Sequence, residues 1–309
     1  MTELRHGEAE RLAPGAEPGP LPLSLLRVDV GALTHVGKVR ENNEDAYVVA
    51  RAGRYIERMS SNLPESILAA RSDDCAYIML VADGMGGRAG GEVASHTALA
   101  STIQMMLSAP KWALKLDDPA TRMREIREMW ARARGYLDAV HAKLQQQAAA
   151  EPRLHGMGTT LTGAYSVGAD LFVIHVGDSR AYLFRGGQVQ KITRDHTLAQ
   201  SYADMGILKQ DDPAARQLRH VLTQAVGATE EVPRPDMHGL RLADGDRVLL
   251  CTDGLSNLVD EIEMAELLSR GSSSQDACQA LIDLALECGA PDNVTAIVAS
   301  YTLESTGQR

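Results

Sequence analysis

The chain contains few cysteines, and none of them falls in a reactive or metal-binding pattern. The four, Cys75, Cys251, Cys278 and Cys288, form no Cys-x-x-Cys pair and lie in apolar segments. Such spacings are typical of buried free thiols rather than of disulfides or zinc ligands. None is followed six residues later by arginine, so a Cys-x5-Arg nucleophile loop is absent. Cysteine is therefore excluded as the reactive group.

Aromatic residues, long apolar runs and basic tracts are also scarce. Aromatics make up 4% of a chain that is 44% hydrophobic, so the core must be mostly aliphatic. No apolar run approaches the roughly 20 residues of a membrane span, and residues 1–20 carry Pro, Gly and Glu where a secretory signal is apolar. The 31 basic residues form no stripe and are outnumbered by 41 acidic ones. We expect a cytoplasmic protein that binds neither nucleic acid nor a membrane.

The apolar pattern predicts strands together with paired helices. Strands are expected at 25–34, 45–50, 75–82, 159–167, 171–176, 181–185, 188–192, 247–252 and 294–301, and helices at 91–108, about 122–149, 262–269 and 276–288. Consecutive strands joined by hairpin turns, with helices in pairs, predict an α+β fold of antiparallel sheets covered by helices. We expect a flexible leader over 1–24, a single domain over 25–302 and a tail over 303–309. Residues 51–74 are expected to be an insertion or loop.

The long helix carries an apolar stripe in steps of three and four residues. Its members are Met123, Ile126, Trp130, Ala133, Leu137, Val140 and Leu144. Such a stripe is either a coiled-coil seam for a partner or the face that packs on a sheet or a neighbouring helix. We favour internal packing and expect a monomer.

Carboxylates repeatedly stand at the ends of strand-like segments. They are Glu44-Asp45, Asp83, Asp178, Asp253 and Asp292. A single Asp-Gly is usually a turn. Acids at the ends of five strand-like segments, however, indicate that these carboxylates converge on one place in the fold. Converging acids repel each other unless a cation lies between them, and an all-oxygen ligand set suits Mg²⁺ or Mn²⁺. The sequence therefore indicates a metal-dependent hydrolase.

Gly84-Met85-Gly86-Gly87-Arg88-Ala89 also fits the dinucleotide fingerprint G-x-G-x-x-A. Asp83 would place a carboxylate beside the pyrophosphate, and no second strand follows, so this alternative is disfavoured. The glycines instead allow the backbone to approach a metal, with the Gly84 carbonyl as a ligand. Arg40 suits two oxygens of a phosphoryl group.

Seven motifs occur in the order seen in one known family. They are Arg40-Glu41-Asn42-Asn43-Glu44-Asp45, Asp83-Gly84-Met85-Gly86-Gly87, Gly158-Thr159-Thr160, Gly177-Asp178-Ser179-Arg180, Asp195-His196-Thr197, Thr252-Asp253-Gly254 and Asp292-Asn293. From about residue 27 to 302 the chain thus resembles the protein phosphatase 2C-like family of metal-dependent Ser/Thr protein phosphatases, in its bacterial form. The resemblance implies a four-layer αββα sandwich, phosphoprotein substrates and an opposing Ser/Thr kinase.

The resemblance also implies roles for individual residues. Asp83 would bridge two Mn²⁺ or Mg²⁺ ions and Arg40 would bind the phosphate, while a metal-bridging water attacks directly. The remaining ligands would be Asp253 and Asp292 on one ion, the Gly84 carbonyl, Glu44 and Asp45 on the other, and Asp178 with Asp253 on a weaker third. Residues of about 197–235 would form a mobile flap.

Two residues depart from the family pattern. Met85 stands where many eukaryotic relatives have a histidine assigned as general acid, so a metal-bound water or His196 would have to supply the proton. Asn257 replaces an aspartate near the third ion. A phosphohydrolase of small molecules, or a catalytically silent phosphopeptide-binding module, remains an alternative; the silent module would be expected to lack Asp83, Asp253 or Asp292.

Overall fold

The computed structural model describes residues 26–57, 59–60, 71–109, 116, 118–209 and 212–303. The strands are β1 (Leu26–His35), β2 (Asp45–Glu57), β3 (Arg71–Met85), β4 (Gly158–Thr159), β5 (Leu161–Val167), β6 (Asp170–Val176), β7 (Arg180–Arg185), β8 (Gln188–Lys191), β9 (Asp236–Arg241), β10 (Arg247–Cys251) and β11 (Val294–Leu303). The helices are α1 (Gly87–Ser108), α2 (Pro119–Ala150), α3 (Leu198–Asp204), α4 (Pro213–Leu218), α5 (Asp253–Ser256), α6 (Glu261–Ser269) and α7 (Ser274–Glu287). The expected leader, and the tail beyond residue 303, lie outside the described residues.

The strands form two antiparallel sheets. The first has the order β1-β11-β10-β7-β8 and the second the order β2-β3-β5-β6-β9, with β4 paired to the end of β3. Every strand pair is antiparallel. The predicted class of fold is therefore confirmed.

The two sheets lie face to face between two layers of helices. An aliphatic core that includes Val81, Leu250 and Ile297 fills the space between the sheets. A second core, with Leu249 and Leu281, joins the first sheet to α6 and α7. The outer face of the second sheet packs on α1 and α2. No helix in these parts of the chain is both long and apolar enough to cross a bilayer.

The structure differs from the predicted secondary structure in two segments. The arm formed by β2 and β3 is longer than predicted, because Glu57 still pairs with Arg71 across the interval that was expected to be a loop. Strand β9 was missed within a polar stretch. Its six residues are half-buried or exposed, so they carry little of the apolar alternation that marks a strand.

Helix α2 packs within the chain along its C-terminal half. Leu137, Val140 and Leu144 of the predicted stripe are buried, together with His141, which confirms internal packing there. Met123, at the other end of the stripe, is exposed. The helix begins where the Asp118 side chain accepts a hydrogen bond from the backbone N–H of Ala120 (3.0 Å).

Candidate active site

The predicted carboxylates converge at one end of the sandwich. Asp45 begins β2 and lies directly opposite Asp83 on β3. From the other sheet, Asp253 follows β10 as the first residue of α5, and Asp292 comes two residues before β11. Because both sheets end here, side chains distant in sequence face one another.

Asp45 lies at the base of this cluster. Its Oδ2 accepts hydrogen bonds from the hydroxyls of Thr252 (2.8 Å) and Thr295 (2.6 Å), but its buried Oδ1 has no hydrogen-bond partner. Burial raises the pKa of Asp45 to about 7, with smaller contributions from Asp253 and Asp292. A buried carboxylate oxygen without a partner calls for an ion or a water.

Asp83 occupies the middle of the cluster. Burial raises the pKa of its carboxyl well above the usual range, and the charges of Asp45, Asp253, Asp178 and Asp292 raise it further. The backbone of Asp83 is fixed by β4 and by Thr160, the residue that follows β4. The backbone N–H of Thr160 and the hydroxyl of Thr159 both donate to the Asp83 carbonyl at 2.9 Å.

Glu44 and Gly84 form a tightly packed wall beside Asp83. The Gly84 N–H donates to the Glu44 carbonyl (3.2 Å), and a Cβ on Gly84 would lie 2.1 Å from the Gly91 carbonyl oxygen. A Cβ on Gly91 would in turn lie 2.8 Å from the backbone carbonyl carbon of Gly84. Glycine is therefore required at both positions.

Arg40 stands at the mouth of the site. Its guanidinium donates through Nη2 to Asp292 Oδ2 (2.7 Å), and its side chain is about half exposed. Asn293 holds the surrounding loop, because its Oδ1 accepts from the Glu44 N–H (2.8 Å) and its amide group donates to the carbonyls of Val36 and Asn42 (2.9 Å each). This amide was quoted as part of a motif, but its bracing role was not predicted.

Asp178 lies on the turn between β6 and β7, with a pKa raised to about 8, chiefly by burial and then by Asp253. The turn is held by His196. Its ring Nδ1 accepts from the Gly177 N–H (3.2 Å), and its backbone N–H donates to the Gly177 carbonyl (2.7 Å). The His196 Nε2 faces Asp236 (3.3 Å). His196 is thus buried behind the turn, which corrects its expected place as a proton donor.

A cleft of about 980 Å³ opens over the cluster. The predicted site residues on its wall are Arg40, Glu44, Asp83, Gly84, Asp178, Asp253 and Asp292. Asp45 lies behind that wall. Met85 lines the cleft as well, so the departure noted in the sequence falls inside the site.

His220, which was not among the predicted site residues, also lines the cleft. Its Nδ1 lies 3.6 Å from Asp253 Oδ2 and its side chain is 67% exposed. The contact with the Asp253 carboxylate is the main cause that raises the pKa of His220. It follows a polar helix rather than a strand end, so no pattern in the sequence singled it out.

The donors around the cleft suit a hard divalent cation. They are carboxylates and a backbone carbonyl, the ligands that Mg²⁺ and Mn²⁺ prefer. No three His, Cys, Asp or Glu side chains are already grouped as a metal-binding set within the described residues. Asp292 forms an ion pair with Arg40. The unpartnered Asp45 Oδ1 nevertheless fits a cation at this position.

Helix α2 supports the site through the segment that follows His220. The Gly227 N–H donates to His141 Nδ1 (3.0 Å) and the Gln145 amide donates to the Thr229 carbonyl (2.6 Å). On its other side Val226 exchanges two backbone hydrogen bonds with Thr159 (2.8 and 2.9 Å). This strap, residues 224–229, links α2 to the strand that fixes Asp83.

Comparisons with known proteins agree with this geometry. A family model described as "Protein phosphatase 2C" matches residues 57–287. Serine/threonine protein phosphatase PstP of Mycobacterium tuberculosis is 34% identical over 255 residues, which cover 81% of this chain and 46% of PstP. Protein phosphatase PhpP of Streptococcus pneumoniae is 29% identical over 279 residues, covering 90% of this chain and 99% of PhpP. The chain thus spans about half the length of PstP and nearly all of PhpP.

Solved structures of serine/threonine phosphatases are also similar to this chain. The catalytic domain of PstP in complex with two manganese ions matches with a TM-score of 0.68 at 31% identity, covering 90% of this chain and 99% of that one. Serine/threonine phosphatase Stp1 from Staphylococcus aureus matches with a TM-score of 0.67 at 26% identity, covering 95% and 99%.

Proposed function

The chain belongs to the protein phosphatase 2C family, and on that premise we propose that it hydrolyses phosphoserine and phosphothreonine on proteins, in opposition to a Ser/Thr kinase. The observation that carries the proposal is the cleft in which Arg40 faces converging carboxylates from both sheets. The manganese in the PstP structure supports Mn²⁺ or Mg²⁺ as the cofactor. When bound, such ions would supply the Lewis acidity that activates a water and offsets charge on the phosphoryl oxygens.

We assign the ligands from their places in the cluster. Asp83, with its central position, would be shared by two ions. Asp253 and Asp292 would hold one of them, and Asp45, Glu44 and the Gly84 carbonyl the other. Asp178, which lines the cleft from the turn between β6 and β7, would take part in a third and weaker site with Asp253.

Arg40 would bind the phosphoryl group of the substrate. The contact with Asp292 runs through one guanidinium nitrogen, and the half-exposed side chain reaches the open cleft. A planar guanidinium can bond two phosphoryl oxygens at once. When Asp292 serves as a ligand, Arg40 would move from it to the substrate.

His220 would hold a proton for the leaving serine or threonine oxygen. Met85 lines the same cleft and carries no exchangeable proton, while His196 faces away from it. His220 is exposed to the cleft and lies next to Asp253. A positioned imidazole is the commonest general acid in proteins.

A cleft volume of about 980 Å³ supports protein substrates, since a cleft of this size that is open to solvent admits a phosphorylated side chain on a peptide. His220 and Leu222 line the cleft, and the segment of about 197–235 to which they belong would act as the flap that sets specificity. We propose that this chain acts in the cytoplasm.

Phosphate release from a phosphothreonine peptide tests the proposal. We expect no turnover after EDTA treatment, recovery with Mn²⁺, and none in Asp83→Asn. Asp283→Asn is the matched control, because Asp283 lies exposed on α7, where it accepts a hydrogen bond from Gln279 (2.8 Å). Full activity in EDTA would refute the proposal. Turnover of p-nitrophenyl phosphate without any phosphopeptide turnover would favour the small-molecule alternative.

A further inference from the structure

An apolar cavity of about 110 Å³ lies between the second sheet and its helices. Its floor includes Leu80, Gly163 and Ile174 of the sheet, and its roof includes Trp130 and Ala133 of α2. None of the described residues that line it also lines the catalytic cleft. It is therefore a separate site.

A glycine, Gly163, occupies the middle of β5 on the floor of the cavity, and the side chains of its two neighbours close over it. Gly163 is paired with Leu80 on one side and Ile174 on the other, on the face of the sheet that packs on the helices. A Cβ there would lie 2.6 Å from Leu80 Cδ2 and 3.3 Å from Ile174 Cγ2, so both neighbours lean over it. Glycine inside a strand weakens the strand and often marks close approach of a ligand or another backbone.

The cavity suits an apolar group better than water. A buried water needs two to four polar partners, whereas the walls are mainly aliphatic and aromatic. The Thr102 hydroxyl on the wall already donates to the Ala98 carbonyl (2.8 Å). A dry apolar cavity of about 150 Å³ takes up benzene, so a single ring or a short alkyl chain matches this space.

One positive charge adjoins this apolar space. Among the described lining residues Arg132 alone is charged. Its guanidinium lies close enough to Tyr165 to lower the pKa of that phenol, although burial dominates and raises it to about 12. An anionic group attached to an apolar body would gain a charge-assisted hydrogen bond from Arg132.

We propose that this cavity is a binding site for a small aromatic or aliphatic carboxylic acid. The ring or alkyl chain would lie between the side chains of Leu80 and Ile174 on the sheet and Ala133 on α2, and the carboxylate would bind Arg132. The proposal does not depend on catalysis at the cleft, and its tests measure binding alone.

Calorimetric titration of the full chain with 3-phenylpropionate, and with the neutral 3-phenylpropanol, tests it. We expect both to bind, the acid more tightly. Ala133→Phe fills the cavity and should weaken both by at least tenfold. Arg132→Gln should weaken only the acid, by about tenfold. Arg134→Gln is the matched control on the same helix, because Arg134 pairs with Asp138 (2.8 Å) and does not line the cavity.

Three results would overturn the inference. They are the absence of binding by the acid at millimolar concentration, equal binding by the wild type and Ala133→Phe, and equal affinity of the acid for the wild type and Arg132→Gln. Ala133→Leu serves as the filling variant if the phenylalanine protein does not fold, as judged by circular dichroism.

Discussion

Removal of the Asp45 charge should stabilise the metal-free protein at alkaline pH. The pKa of Asp45 is raised from 3.8 to about 7, so the folded state holds this proton more tightly than the unfolded state does. Stability is then greatest below the unfolded pKa and falls as pH rises towards the folded one. Asp45→Asn removes this dependence because asparagine does not titrate.

The size of the effect follows from the same pKa. One unit of pKa corresponds to about 1.4 kcal/mol, so ionised Asp45 costs the metal-free fold about 4 kcal/mol above pH 7. The asparagine amide would take the place of one carboxylate oxygen and leave a buried donor unpaired, which costs about 1–3 kcal/mol. We expect Asp45→Asn to be about 1–3 kcal/mol more stable than wild type at pH 8, with an advantage about 2–3 kcal/mol smaller at pH 5.

Urea unfolding of both proteins in EDTA, at pH 5 and pH 8, measures these differences. With Mn²⁺ at 1,000 times its Kd the order should reverse at pH 8, since such a ligand stabilises the fold by about 4.1 kcal/mol and Asp45→Asn lacks a metal ligand. A difference between the proteins that is the same at both pH values would refute the reasoning. Asp29→Asn, which removes a carboxylate of the first sheet that accepts from the Ser274 N–H (2.7 Å), controls for a general effect of charge.

Three further predictions concern the site and its support. Asp178→Ala should lower kcat at least tenfold while calorimetry still detects two tightly bound Mn²⁺ ions, because Asp83, Asp253 and Asp292 remain; a lowered Tm with unchanged kcat would assign Asp178 to the turn alone. Arg40→Ala should raise KM for a phosphopeptide about tenfold or more with little loss of Mn²⁺ affinity; an unchanged KM would remove Arg40 from phosphate binding. His141→Ala should cost about 1–3 kcal/mol and speed hydrogen exchange of residues 224–229, since it removes the acceptor of the Gly227 N–H; unchanged exchange there would contradict the role of α2 as a support.

Strands joined by hairpin turns and helices in pairs were enough to predict the class of fold, and the repeated acids at strand ends indicated which residues share the cleft. A strand end fixes where its side chain lies, so Asp83, Asp253 and Asp292 could be placed together without coordinates. Asp45 was placed by the same logic. Its two threonine partners, Thr252 and Thr295, come from the other sheet and follow no local pattern.

Two histidines lie where the local sequence pattern does not determine the position of a side chain in the fold. His196 was one of two sources, with a metal-bound water, expected for the proton that Met85 cannot donate, yet its ring accepts a hydrogen bond from the Gly177 turn. His220 follows α4 and lines the cleft. That placement depends on contacts distant in sequence, such as the hydrogen bond between His141 and Gly227.

Anomalous diffraction from crystals soaked in Mn²⁺ tests the central claim most directly. We predict two strong manganese peaks on either side of the Asp83 carboxylate, one of them within bonding distance of the Asp45 Oδ1 that has no partner in the protein. The same peaks should be absent from crystals of Asp83→Asn. Phosphopeptide turnover by a protein whose manganese lies elsewhere, with none beside Asp83, would contradict the account.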